Sequence, residues 1–252
     1  MEKYFNINER KLSIRCKLYA KDQKAISRVI LFGHGFGGHK DNKAAETFAN
    51  RVMDKNKGAA VVTFDLPGHG DDARKPLTLS DCGTYLEIVT DHIQKTYAPE
   101  GLDAYATSFG GYLLLKYIAE HGSPFSRIAL RCPAVPMYES LVGNIISENE
   151  RARLAKGKPV SIGFDRKVEI TQGFLEELKA ADLMEMDFID YADDILILHG
   201  TKDEVIPIRA VKDFADNNLI DFIPVENADH RFSDPQIMKA AVAEIVRFLG
   251  LR

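Results

Sequence analysis

The chain has 252 residues, 45% of them apolar and 28% charged, with a formal net charge of −4. That length and balance describe one globular α/β domain with room for an insertion, and they argue against nucleic acid or an anionic membrane as the main partner. Three cysteines, Cys16, Cys82 and Cys132, form no CxxC pair and leave one thiol over in any disulfide scheme, so reduced, half-buried thiols and a cytoplasmic setting are expected.

The N-terminal stretch lacks a basic segment followed by an apolar run, so no signal peptide is expected. No apolar stretch approaches the roughly 20 residues that span a bilayer. "YFNI" and "KLSIRCKLYA" alternate apolar and polar residues around "NER", which predicts an antiparallel hairpin at a sheet edge. The pattern then changes. "RVILFGHG", "AAVVTFDLPGHG", "LDAYATSFGG", "RIALRCPA" and "DDILILHG" are short apolar runs that end in small or turn residues, as expected of parallel strands buried on both faces. Helical patterns fall between them: "NKAAETFANRVMDK", "LSDCGTYLEIVTDHIQKTY" and "GGYLLLKYIAEHG". "PIRAVKDFADN", the strand "DFIPVE" and the helix "DPQIMKAAVAEIVRFLG" close the chain. The alternation of strand and helix predicts an α/β class with a doubly wound sheet.

Residues 136–191 break that rhythm. "MYESLVGNIISENERARLAKG" reads as helical, "PVSIGF" and "KVEITQGF" as two strands around "DR", and "LEELKAADLMEMDFI" as helical again. A structureless loop of that length is improbable in a compact domain, so the segment reads as a small inserted cap within a single domain spanning residues 1–252. Its first helix places Tyr138, Leu141, Val142 and Ile145 in one apolar stripe, expected to face a substrate together with Gly35. Between Met137 and Tyr191 the segment carries eleven acidic and seven basic residues. That excess is expected to disfavour anionic substrates at its rim.

The chemistry gathers at the strand ends. Ser108 stands where "DAYAT" meets "FGGYLLLKYIAEH", with no loop between strand and helix. Such a joint forces a strained backbone that points the side chain out of the sheet, and small residues must flank it at Ala106 and Gly110. A helix N-cap is the plain alternative for this serine. A hydroxyl needs a base to attack, and His230, in the loop "ENADHRF" between the last strand and the last helix, is the candidate. Asp203, after "ILILHG", is the candidate carboxylate that orients the imidazole, with Glu204 as the fallback. The backbone amides of Phe36, in the glycine-rich "GHGFGGHKDN", and Phe109 are the candidate donors to an oxyanion. The same loop is out of register for a dinucleotide fingerprint, since Lys40, Asp41 and Asn42 separate it from the next helix. There is no HExxH, and the histidines are scattered, so no metal site is expected.

With "HGFGG" at 34–38, "DLPGHG" at 65–70, "ATSFGG" at 106–111, "HGTKDEVIP" at 199–207 and "ADHRF" at 228–232 in this order, the chain resembles the α/β-hydrolase fold superfamily over nearly its whole length. More narrowly it is similar to bacterial carboxylesterases that include cinnamoyl (feruloyl) esterases, and beyond them to monoacylglycerol lipases. The resemblance implies a mostly parallel sheet with helices on both faces, a Ser108–His230–Asp203 triad, an oxyanion hole at Phe36 and Phe109, no cofactor, and a small-molecule ester as partner, with a homodimer left open. Thioesterase or peptidase chemistry on the same scaffold, or a silent binding module, are the alternatives. A dehalogenase would need Asp at position 108. The chain departs from the pattern in two places: Ala106 replaces the first glycine of the G-x-S-x-G elbow, and "GHGDDARK" lacks the serine that often follows "GHG".

Overall fold

The computed structural model describes residues 1–163 and 166–251. In chain order the strands are β1 (Glu2–Glu9), β2 (Leu12–Ala20), β3 (Arg28–Gly33), β4 (Ala59–Phe64), β5 (Gly101–Thr107), β6 (Ile128–Arg131), β7 (Val160–Ile162), β8 (Val168–Ile170), β9 (Ile195–Gly200) and β10 (Asp221–Val225). The helices are α1 (Lys43–Lys55), α2 (Leu79–Tyr97), α3 (Phe109–His121), α4 (Met137–Ser140), α5 (Glu148–Leu154), α6 (Gln172–Ala180), α7 (Ile208–Asn217) and α8 (Pro235–Phe248).

Eight strands form one sheet in the order β1-β2-β4-β3-β5-β6-β9-β10. β1 and β2 run antiparallel, as does the β2–β4 pair, and every later pairing is parallel. The edge hairpin turns at Arg10 and Lys11, both with positive φ, one residue beyond the expected "NER". Two left-handed residues give the turn whose twist matches the flanking strands.

The parallel strands bury both faces, and their period of two sorts the core. Val29 and Leu31 of β3 face a cluster completed by α2, α3 and α7, while Ile30 and Phe32 face a second cluster completed by α1 and α8. From β3 the chain steps to β4 on one side, and β5 and β6 lie on the other. The carboxyl ends of β3 and β5 therefore flank a point where the winding reverses, and a crevice opens outside the sheet at such a point.

The segment 136–191 holds α4 to α6 and the two-stranded ladder of β7 and β8. The helix expected from Met137 onward is not continuous. After α4 the backbone widens into a π-type turn over Leu141–Ile145, leaves helical geometry at Ile146, and restarts at Ser147. Ser147 and Glu150 form a capping box that starts α5, which is why the chain breaks there. The strand read as "KVEITQGF" ends at Ile170, because Thr171 caps α6 through the Phe174 amide. Phe164 and Asp165, read as the end of one strand and part of the turn after it, lie outside the described residues. Leu154, Ile162, Ile170 and Phe174 belong to the same apolar cluster as α2 and α3, so the segment packs directly on the main core. All three cysteines are free and fully buried, deeper than expected.

Candidate active site

β5 ends at Thr107 and α3 begins at Phe109, so Ser108 alone makes the turn, at φ 51° and ψ −120°. A non-glycine residue rarely adopts that conformation, and it persists only where surrounding bonds fix it. Here the Ser108 amide donates to the Arg131 carbonyl at 3.1 Å, and the Ser108 carbonyl accepts from Tyr112 and Ala134, each at 3.1 Å. The crowding demands small neighbours. A Cβ on Gly110 would lie 2.6 Å from the carbonyl oxygens of both Gly33 and His34. Ala106 fits because its partner across the strand pair is Gly33. The Ser108 side chain makes no capping bond to α3. Its Oγ lies 2.9 Å from Nε2 of His230 instead.

His230 sits in a tight loop before α8. Asp229 Oδ1 accepts from the amides of Arg231 and Ser233, and a guanidinium N–H of Arg131 donates to the Arg231 carbonyl at 2.7 Å. On its far side His230 Nδ1 lies 2.7 Å from Asp203 Oδ2. With Nδ1–H donating to the carboxylate, Nε2 is left as the acceptor for the Ser108 hydroxyl. The other carboxylate oxygen accepts from the Val205 and Ile206 amides at 2.9 and 2.8 Å. Burial alone raises the Asp203 pKa. Bonds from His199 and His230, the charge of His230 and the Ile206 amide outweigh it and hold the group well below the usual carboxylate range. Glu204, the fallback, is exposed.

Two further residues touch this chain of bonds. His199 is fully buried, and its Nε2 lies 3.2 Å from Asp203 Oδ2 and 3.1 Å from the Ile206 carbonyl. Both neighbours are acceptors, so Nε2 carries the proton, and Nδ1 is buried with no partner. Cys132, Asp203 and His230 each bring one potential metal-ligand atom within 4.8 Å of the others. Burial and the Asp203 charge push the Cys132 thiol up, and Asp203 and His230 are already bonded to each other. A protonated thiol donates rather than ligates, so this cluster fits a hydrogen-bonded group better than a metal centre.

The "GHGFGG" loop closes over the serine. A Cβ on Gly35 would stand 3.1 Å from that of Ser108. His34 anchors the loop from below: its Nδ1–H donates to the Gly35 carbonyl at 2.9 Å, and its Nε2 accepts from the Leu66 amide at 3.2 Å. Burial, reinforced by His69, pushes the His34 pKa down to about 3, against the Gly35 bond that favours the charged form. His69 is lowered to about 4, again chiefly by burial. Among the described residues, neither the Phe36 amide nor the Phe109 amide has an acceptor. Asp65 is structural: it accepts from the Lys40 and Asp71 amides and from Lys40 Nζ.

A cavity of about 400 Å³ opens beside Ser108 and His230, with Gly35, Phe36 and Ile145 in its wall. The other expected contacts lie elsewhere. Leu141 is completely buried, Val142 packs on the core, and Tyr138 sits under Lys179. Leu141 and Val142 enter the wider turn over Leu141–Ile145, where α-helical spacing no longer holds, and of the four expected residues Ile145 reaches the cavity. Arg131 and Arg166 also line it. Neither was singled out from the sequence, where Arg131 reads as the end of an apolar strand.

Residues 29–245 match the sequence pattern of the Alpha/beta hydrolase family. The chain belongs to that family. Monoacylglycerol lipase abhd6-B of Xenopus laevis is 33% identical over 112 residues, 43% of this chain and 31% of that one. Its relative abhd6-A is 27% identical over 180 residues, 71% and 49% of the two chains. The chain thus spans half or less of the length of these curated relatives. Among solved structures, Est1E from Butyrivibrio proteoclasticus with ferulic acid bound aligns at a TM-score of 0.75 with 17% identity, covering 98% and 99% of the two chains. The esterase domain of a Rhodothermus marinus protein aligns at 0.69 with 19% identity, covering 98% and 97%. Likeness at such identities is a likeness of fold. Among the described residues no helix is long and apolar enough to cross a membrane.

Proposed function

We propose that this hydrolase cleaves small to medium carboxylic esters, with short-chain or hydroxycinnamoyl-type acyl groups, by way of an acyl-enzyme on Ser108. The observation that carries the reading is the unbroken line of bonds from Ser108 Oγ through His230 to Asp203, at 2.9 and 2.7 Å. It ends at a strained serine that faces a cavity.

The chemistry follows from those contacts. Ser108 Oγ attacks the ester carbonyl carbon as its proton passes to His230 Nε2. Asp203, anionic and fixed by two amides, stabilises the imidazolium that results. The carbonyl oxygen becomes an oxyanion, and the unengaged amides of Phe36 and Phe109 are its donors. Collapse breaks the bond to the alkoxy oxygen, which leaves as alcohol with the proton from His230. Water then repeats the sequence on the acyl-enzyme: it gives a proton to His230, releases the carboxylic acid and restores the Ser108 hydroxyl. Segment 136–191 acts as a cap whose Ile145 helps shape the acyl or alcohol pocket. The ferulic acid named with Est1E and the lipase names of the curated relatives both favour ester substrates.

The test is turnover of 4-nitrophenyl esters of graded chain length and of methyl hydroxycinnamates, with fluorophosphonate labelling followed by intact mass. One label on the wild type, none on Ser108→Ala, and hydrolysis of at least one ester class are expected. A wild-type protein that takes no label and cleaves no ester refutes the reading.

A further inference from the structure

We propose that the cavity beside Ser108 selects esters that carry a carboxylate, bound by Arg131 with Arg166 and Lys43 at the mouth. The proposal rests on the ester-hydrolase reading and adds the class of substrate. It starts from a charge imbalance. The chain holds 37 acidic and 33 basic residues, yet the charged residues described in the cavity wall, apart from histidines, are Lys43, Arg131, Arg166 and Arg231, with no Asp or Glu. Among the described residues, the charged side chain that segment 136–191 contributes to this wall is Arg166. Where the sequence led to the expectation of an anionic rim, the described residues of the rim are cationic.

Arg131 carries the argument. Among the described residues three Lys or Arg side chains are buried: Lys17, Lys40 and Arg131. Lys17 meets Glu2 at 2.9 Å, and Lys40 meets Asp65 at 3.0 Å and Asp71 at 2.6 Å. Arg131 is 7% exposed and has no carboxylate partner among the described residues. Its contacts are the Arg231 carbonyl, a long approach to Met238 Sδ at 3.7 Å, and the Phe232 ring 5.1 Å below the guanidinium. Its Nε is buried with no hydrogen-bond partner. A buried charge without a counter-ion is costly and is ordinarily paired. A guanidinium fork also matches a carboxylate better than any other common group does.

Position ties this charge to the reaction. Arg131 ends β6 in register with Thr107, and its carbonyl accepts the Ser108 amide. The unpaired cation and the nucleophile thus share one wall. Arg166 and Lys43 are exposed at the opening, where they would draw an anion inward. Arg231 has an interaction of its own and is not needed.

The experiment compares kcat/KM within two matched pairs, each a carboxylate and its neutral methyl ester. 4-Nitrophenyl hydrogen glutarate against its methyl ester places the charge on the acyl side. 3-(Butanoyloxy)benzoate against its methyl ester places it on the alcohol side. Ser108→Ala serves as the blank for self-catalysed hydrolysis. In at least one pair the carboxylate is expected to be favoured roughly 10- to 100-fold. That ratio should fall as salt rises, and collapse towards one in Arg131→Met, which keeps the side chain's length and removes the charge. If Arg131→Met does not fold, exposed Arg166→Gln should still lower the ratio by roughly 3-fold. Esters cleaved with no carboxylate preference in either pair, by a protein that takes the fluorophosphonate label, overturn this inference alone. Absence of both labelling and turnover overturns the ester reading beneath it.

Discussion

Gly33 faces Ala106 across the paired strands β3 and β5, and a Cβ built on Gly33 would stand 3.1 Å from that of Ala106. The methyl group that departs from the usual glycine at the elbow is thus accommodated by a glycine on the neighbouring strand. Gly33→Ala should destabilise the protein by about 1–3 kcal/mol, the usual range for overpacking. Adding Ala106→Gly should recover about 1 kcal/mol of that loss. Urea unfolding of both single variants and the double variant measures the coupling. Strict additivity would show that the two positions do not compete for one space.

Turnover should depend very unequally on the residues around Ser108. Ser108→Ala should lose roughly 10⁴- to 10⁶-fold in kcat, and Asp203→Asn, which keeps its shape but leaves the imidazole free to take the wrong tautomer, about 10⁴-fold. Exposed Glu204→Gln should stay near wild type. Steady-state kinetics on one activated ester suffices. A dead Glu204→Gln beside an active Asp203→Asn would move the acid to position 204.

His199 should act through Asp203. Its Nε2–H reaches Asp203 Oδ2 at 3.2 Å, and its other nitrogen is left buried without a partner. Leaving such a group unsatisfied costs about 1–3 kcal/mol, so the site holds this histidine at some expense. His199→Phe removes a donor from Asp203 and leaves the carboxylate more basic towards His230. We expect kcat to fall roughly 10-fold and the acid limb of the kcat/KM profile to move to higher pH. A drop in rate with an unmoved profile would mark His199 as packing only.

These relationships also mark what a single sequence reveals. The elbow was legible because its constraints are local: a serine between strand and helix, with Ala106 and Gly110 two residues away on either side. The order of strands and the loop positions of Asp203 and His230 were legible for the same reason. The pairing of Gly33 with Ala106 was not, since it depends on which strands become neighbours. Nor was the lack of a carboxylate partner for Arg131 among the described residues, which depends on where the fold places side chains distant in sequence. Leu141 and Val142 were misplaced because a periodicity argument assumes an unbroken α-helix, and Leu141–Ile145 form a wider turn, whereas Tyr138 precedes that turn and lies under Lys179.

The last prediction concerns acid stability. His34 and His69 are buried beneath the glycine-rich loop that follows β3, with pKa values lowered to about 3 and about 4, whereas unfolded histidine titrates near 6.5. Between those limits the unfolded chain binds protons that the folded chain does not, so the stability these residues contribute is present above about pH 6.5 and is lost as pH falls. At pH 5 the difference is about 1.5 pH units for each, or about 2 kcal/mol per histidine. Asp203 adds little there, since its loss begins only below the ordinary carboxylate range. Unfolding free energy from urea titrations should therefore fall by about 4 kcal/mol or more between pH 7 and pH 5, since burial lowers His39 and His92 as well. His34→Gln offers an amide N–H for the Gly35 carbonyl and cannot titrate. It should be less stable than wild type at pH 7, yet its loss on going to pH 5 should shrink by about 2 kcal/mol. An undiminished loss in that variant would mean that His34 is not neutral in the fold, and that the bond to the Gly35 carbonyl is made by an imidazolium.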